Sequence, residues 1–91
     1  MEIKVKCEKT DGGWDCDVKL IDGEVFEHGV FVSGDDYEKL SKEDCSVEDL
    51  VEASFRFLLD REPKGSILKN FNLNVILKFF PEYKEKIKGY L

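Results

Sequence analysis

From Glu2 to Leu20 polar and apolar residues alternate in two runs, with the apolar positions odd before a Gly-rich turn and even after it. Ile3, Val5 and Cys7 share one face and Glu2, Lys4, Lys6 and Glu8 the other; then Trp14, Cys16, Val18 and Leu20 stand against Asp15, Asp17 and Lys19. A period of two is the spacing of strands with one buried and one wet face, and it does not suit a helix, whose apolar stripe follows a period of about 3.6. Between the two runs lies Thr10-Asp11-Gly12-Gly13, where Asp-Gly suits the type I′ turn that matches the twist of a hairpin. A two-residue loop at 11 and 12 and a four-residue loop at 10 to 13 both pair residues whose numbers sum to 23. Either loop sets Ile3 opposite Leu20, Val5 opposite Val18, Cys7 opposite Cys16 and Lys6 opposite Asp17.

A third strand is expected from about Glu24 to Ser33. A three-residue loop with Gly23 in the left-handed conformation aligns Leu20 with Phe26, Val18 with His28, Cys16 with Val30 and Trp14 with Val32. One face of this meander is then apolar apart from His28, and something must cover it. Ser33 with Asp36, and Ser46 with Asp49, carry the spacing of an N-terminal capping box. They predict a short helix through about Leu40 and a longer one over about Val47 to Asp60. The apolar residues Val47, Leu50, Val51, Phe55, Leu58 and Leu59 of the longer helix form one stripe, the lid for the sheet. Pro63 and Gly65 break the chain, and Ser66 to Lys69, Leu73 to Phe80 and Pro81 to about Tyr90 read as short helices, with Asn72 as a cap and Pro81 at a first helical position.

The expected fold class is therefore α+β: a three-stranded antiparallel meander with one face covered by a central helix, plus a C-terminal subdomain of short helices. With 91 residues the chain makes one domain, divided as a β-meander (1–33), covering helices (34–62) and a helical C-terminal subdomain (63–91). Leu, Ile, Val and Phe supply 29 of the 91 residues, enough for a packed core despite a charged fraction of 37%.

The block Phe57-Leu58-Leu59-Asp60-Arg61-Glu62-Pro63-Lys64-Gly65-Ser66-Ile67-Leu68, the block Phe79-Phe80-Pro81-Glu82-Tyr83 and the Gly12-Gly13-Trp14 turn resemble those of a family of short prokaryotic proteins of unknown function over nearly the whole chain. That resemblance brings no activity, substrate or catalytic residue with it. At the level of fold, the Asp11-Gly12-Gly13-Trp14 turn in a meander followed by a covering helix resembles HicB-type antitoxins, although no Pro-rich strand ending follows Cys16 and the C-terminal third is longer than in that pattern.

Charge narrows the classes of function. The net charge is −6, yet residues 1–62 hold 8 basic against 18 acidic side chains and residues 63–91 hold 6 Lys against 2 Glu. An acidic total repels nucleic acid and anionic membrane, and the basic end lacks Arg, the side chain that grips phosphate and guanine with two hydrogen bonds. No apolar run is long enough to span a membrane, and the start MEIKVKCEK lacks the apolar core of a secretory signal, so a cytoplasmic location is expected.

Candidate chemistry is sparse. Cys7 and Cys16 face each other across the hairpin at a separation a disulfide can bridge, and they read either as that bond or as two buried thiols. A composition without Gln and rich in charge is common in heat-adapted proteins, the one intracellular setting where disulfides persist. Cys7, Cys16, His28 and Cys45 lack the short Cys-x₂₋₄-Cys spacing of a zinc site, and no metal or cofactor is expected. His28 is the only imidazole and hence the candidate functional polar residue, set against a strand residue at the sheet's edge that makes a structural hydrogen bond. Asp35, Asp36 and Glu38 are accounted for by the helix dipole. Ser66 to Lys78 has the outline of helix, turn, helix, and Lys64, Lys69 and Lys78 are the candidate nucleic-acid contacts. Its second helix is apolar nearly all round, which points to burial against the body or another subunit. The expectation is a small non-enzymatic interaction or regulatory module that binds a protein partner or forms a homodimer. Nucleic-acid binding through the lysines is the alternative, and an enzyme built on His28 and a cysteine comes third.

Overall fold

A computed structural model describes residues 1–91. Strands β1 (Glu2–Thr10), β2 (Gly13–Asp22) and β3 (Glu24–Ser33) form an antiparallel meander. Its register has Cys7 opposite Cys16, Val5 opposite Val18, Val18 opposite His28 and Trp14 opposite Val32. Gly12 and Gly23 hold the two turns at φ 82° and 74°, a region that a side chain disfavours. The apolar face is buried through Ile3, Cys16, Val18, Leu20, Val30 and Val32, with Val5 and Cys7 half-buried along the outer strand.

Helix α1 (Gly34–Leu40) starts at Ser33, whose hydroxyl accepts the Asp36 amide at 3.1 Å. Helix α2 (Val47–Leu59) starts with a reciprocal capping box: the Ser46 hydroxyl accepts the Asp49 amide at 3.0 Å, and the Asp49 carboxylate accepts the Ser46 amide at 3.1 Å. Its inward stripe, Leu50, Val51, Phe55 and Leu58, packs against the sheet, with the Phe55 ring 5.4 Å from the His28 imidazole. No helix is long and apolar enough to cross a membrane.

The C-terminal third corrects the sequence reading. The sheet has four strands and is mixed, because Asn70–Asn72 forms β4, parallel to β3, at the far edge in the order β1-β2-β3-β4. Asn72 therefore lies in a strand and caps no helix. Two long-range forces seat β4. Phe71 stands beside Val30 on the core face with its ring 6.0 Å from Phe55, and the ladder is closed by Gly29 N–H to the Lys69 carbonyl at 2.8 Å and Leu73 N–H to the Phe31 carbonyl at 2.9 Å. On the outer face Gly29 leaves the space that the Asn70 amide fills, with the Asn70 oxygen 2.5 Å from where a side chain at 29 would begin.

The rest of the segment is less helical than its apolar spacing predicts. A 3₁₀ turn (Lys64–Ser66) precedes β4, and α3 (Val75–Phe79), α4 (Tyr83–Lys86) and a final 3₁₀ turn (Ile87–Tyr90) follow it. Pro81 lies in the turn between α3 and α4 rather than at a first helical position, and there is no pair of helices between Ser66 and Lys78. Residues 63–91 are thus not a separate helical layer; they extend the sheet and share its single core through Ile67, Leu73, Ile76, Tyr83 and Ile87.

Candidate functional site: an apolar groove beside the sheet edge

The C-terminal end of α2 is tied to the last residues of the chain around Phe57. The Phe57 ring meets Tyr83 at 5.1 Å, Phe80 at 5.8 Å and Tyr90 at 5.8 Å, all edge-on. The Arg61 guanidinium lies 3.7 Å from the centre of the same ring and donates to the Phe57 carbonyl at 3.2 Å, the Tyr90 hydroxyl at 3.3 Å and Glu82 at 3.4 Å. The Tyr90 hydrogen bond raises the Arg61 pKa above its ordinary value; desolvation opposes this and Glu82 adds to it. The Tyr90 hydroxyl in turn donates a hydrogen bond to the Asp60 carboxylate at 2.5 Å.

This clasp fixes which aromatic faces water. Phe80 packs on Phe57, so its chain neighbour Phe79 is turned away from the core and is 66% exposed. Ile67 is buried and the Leu68 carbonyl accepts from His28 Nδ1 at 2.7 Å, which leaves the Leu68 side chain outside and 50% exposed. Leu68 and Phe79 both line an open groove of about 360 Å³ between the end of α2, the 3₁₀ turn, β4 and α3. Eight of its ten lining residues are apolar, and the polar members are Glu62 and Ser66. A groove with this lining can desolvate an apolar side chain; it offers little to orient a polar reactant.

The residues singled out from the sequence fall elsewhere. Cys7 and Cys16 are joined in a disulfide, with Cα atoms 4.0 Å apart, the short spacing of a non-hydrogen-bonded cross-strand pair. Cys45 is a free, half-buried thiol whose backbone carbonyl accepts the Tyr37 hydroxyl. No three His, Cys, Asp or Glu side chains converge as a group able to hold a metal. His28 is 6% exposed; its Nδ1 is engaged by the Leu68 carbonyl, and its Nε2 is buried without a partner, so no carboxylate or thiol stands in hydrogen-bond reach.

The three lysines are dispersed. Lys64 reaches Asp22 at 3.4 Å and lies 5.2 Å from the centre of the Phe26 ring. Lys69 lies beside Asp17, Lys19, Glu27 and Asn70 on the outer face of the sheet, and Lys78 is on α3. Sequence reading missed the groove as a site, although the all-round apolar character of residues 73–80 is its signal. No family model, no curated protein and no solved structure matches the chain.

Proposed function

We propose that the protein is a small non-enzymatic interaction module of the cytoplasm whose working surface is the groove between α2, β4 and α3. The observation that carries this reading is the exposure of Leu68 and Phe79 on one apolar depression. Two large apolar side chains held in water on a concave surface lose nothing in the free protein that a partner would not restore, and aromatic residues in such places dominate binding energy. Their position is fixed by the clasp on Phe57 and by the His28–Leu68 hydrogen bond, so the surface is presented in advance of binding.

The resemblance to short prokaryotic proteins supports the same surface. The blocks 57–68 and 79–83 that carry it supply seven of the ten groove residues, from Leu58 to Phe80. The test is site-specific photocrosslinking in the native cell. A photoreactive residue at 79 or 68 should give a discrete adduct that a control position such as Glu43, exposed and remote in the chain, does not give. Equal labelling from all three positions, or none from any, would remove the reading.

Nucleic-acid binding is the second reading, favoured by Lys69 and Lys78, which are exposed and have no carboxylate within 4.0 Å. It predicts a low-salt gel shift that is abolished when both are changed to Glu.

A further inference from the structure

We infer that the outer face of the sheet carries a second site, separate from the groove, that binds a neutral saccharide: Phe31 is the platform on which the sugar ring stacks, and Asp15, Asp17, Asn70 and Asn72 meet its hydroxyl groups. Phe31 stands where no packing calls for an aromatic side chain. The even-numbered residues Phe26, His28, Val30 and Val32 of β3 turn inward, so Phe31 falls on the opposite face, among the charges of β1 and β2. It is half-buried, and its ring has no aromatic or cationic partner. Of the seven phenylalanines only Phe31 and Phe79 contribute nothing to the core, and Phe79 belongs to the groove.

The register frames this ring with hydrogen-bonding side chains. Asp15 on β2 and Asn72 on β4 are its direct cross-strand partners, and one rank along the sheet Asp17 and Asn70 flank Gly29 in the same way. With the spacings of a sheet the four side chains bound an area of about 7 by 10 Å, the scale of one sugar ring with its substituents. Gly29 supplies no side chain between them, and together these residues line an open depression of about 460 Å³. None of the four makes a side-chain hydrogen bond or a salt bridge within the protein. Even Asp17, which faces Lys6 across the hairpin, closes no ion pair with it. In the next rank Lys19 and Glu27 pair with each other at 4.0 Å and bound the site at that end.

The chemistry of these five side chains selects the ligand. Carboxylates only accept hydrogen bonds, amides both donate and accept, and the phenyl face takes C–H groups. A pyranose has an apolar C–H face of about the area of a benzene ring and a rim of hydroxyls that donate and accept, so it satisfies all three. A nucleobase also stacks on an aromatic ring, but its phosphates would meet Asp15 and Asp17 in a protein of net charge −6. An organic cation would suit the carboxylates and the ring and leave the amide donors of Asn70 and Asn72 unmatched. A wholly apolar ligand would strip water from four polar side chains and return nothing to them.

The experiment titrates the full-length, ¹⁵N-labelled protein with cellobiose, maltose, mannobiose and N,N′-diacetylchitobiose, each to about 20 mM, because an open site of this size holds one sugar ring with millimolar affinity. At least one of the four should shift the amides of Asp15, Asp17, Gly29, Phe31, Asn70 and Asn72 and leave those of Leu58, Val75 and Phe79 in place. The dissociation constant should be the same at low salt and at about 0.5 M NaCl, since the ligand is uncharged. Phe31→Ala should weaken binding at least about tenfold, and Phe31→Tyr, which keeps the ring, should preserve it. Asp15→Asn and Asn72→Asp, which keep size and change the hydrogen-bonding pattern, should each weaken it about threefold to tenfold. The spectrum of each variant away from the site reports that it is folded.

The absence of shifts at these amides with all four saccharides would overturn the inference, as would saccharide binding that survives Phe31→Ala in a folded variant. Spermidine is the control for an organic cation: if it alone shifts these amides, and its binding fades with salt and with Asp15→Asn, the site belongs to a cation and the saccharide is withdrawn. Loss of the saccharide response on Phe79→Asp would show that the sugar sits in the groove and that the outer face is no separate site.

Discussion

Tyr83 is the largest side chain with no solvent exposure, and its hydroxyl lies 2.5 Å from that of Ser54, which in turn donates to the Leu50 carbonyl at 2.7 Å. The two hydroxyls satisfy each other in a core closed to solvent. Burial raises the Tyr83 pKa well above its ordinary 10.0; the Ser54 hydrogen bond lowers it and Asp36 adds to the rise. The phenol is therefore neutral in the folded protein at pH values where the unfolded chain ionises. Its contribution is complete below about pH 10 and is lost as pH climbs above that value, at up to about 1.4 kcal/mol per pH unit. Tyr83→Phe should cost about 1 kcal/mol at neutral pH, through the lost hydrogen bond, and should flatten the alkaline limb, so that the two stability curves converge above pH 10. Urea unfolding at stepped pH measures both effects; a constant gap between the curves from pH 7 to beyond 10 would refute the buried neutral phenol.

At the scale of elements, the hairpin and α2 make separate predictions. Closure of the β1–β2 hairpin by Cys7–Cys16 links residues nine apart in the chain, a loop whose cross-link stabilises by about 2.5 kcal/mol in the chain-entropy account. Thiol titration of the denatured, unreduced protein should find one free thiol, Cys45, and three after reduction, with a fall in Tm of about 10 °C or more. Three reactive thiols before reduction would show the bridge to be absent. Ser46→Ala removes half of the capping box of α2 and should cost about 1 kcal/mol, read as a fall in Tm of about 4–8 °C; an unchanged Tm would show that the cap contributes nothing.

These are also the elements that local chemistry makes legible. Alternation, Asp-Gly turns and Ser-x-x-Asp caps act within a few residues, so β1, β2, β3, α1 and α2 can be read from the chain together with their register. Strand β4 cannot be read in that way. Asn70-Phe71-Asn72 has weak strand preference of its own and is extended only because Phe71 docks on Phe55 and the side chain missing at Gly29 admits Asn70. The sequence does carry the apolar excess of residues 73–80, but which of those side chains stays outside is decided by Phe57 far upstream, through its grip on Phe80.

For the molecule as a whole, the acidic meander and the basic end are joined in one core rather than opposed as two units, and the apolar groove opens where the end of α2, the edge strand and α3 meet. A shape of this kind suits recognition: a rigid sheet supports an apolar trough. The most direct measurement is a ¹H–¹⁵N correlation spectrum of the folded chain titrated with a peptide selected against it from a random displayed library. The account predicts that the perturbed amides cluster at Leu58, Ile67, Leu68, Phe71, Val75 and Phe79 and that Phe79→Asp abolishes the shifts while the rest of the spectrum stays in place. Shifts centred instead on the outer face of the sheet around Asp17, Glu27 and Gly29, or shifts that survive Phe79→Asp, would contradict it.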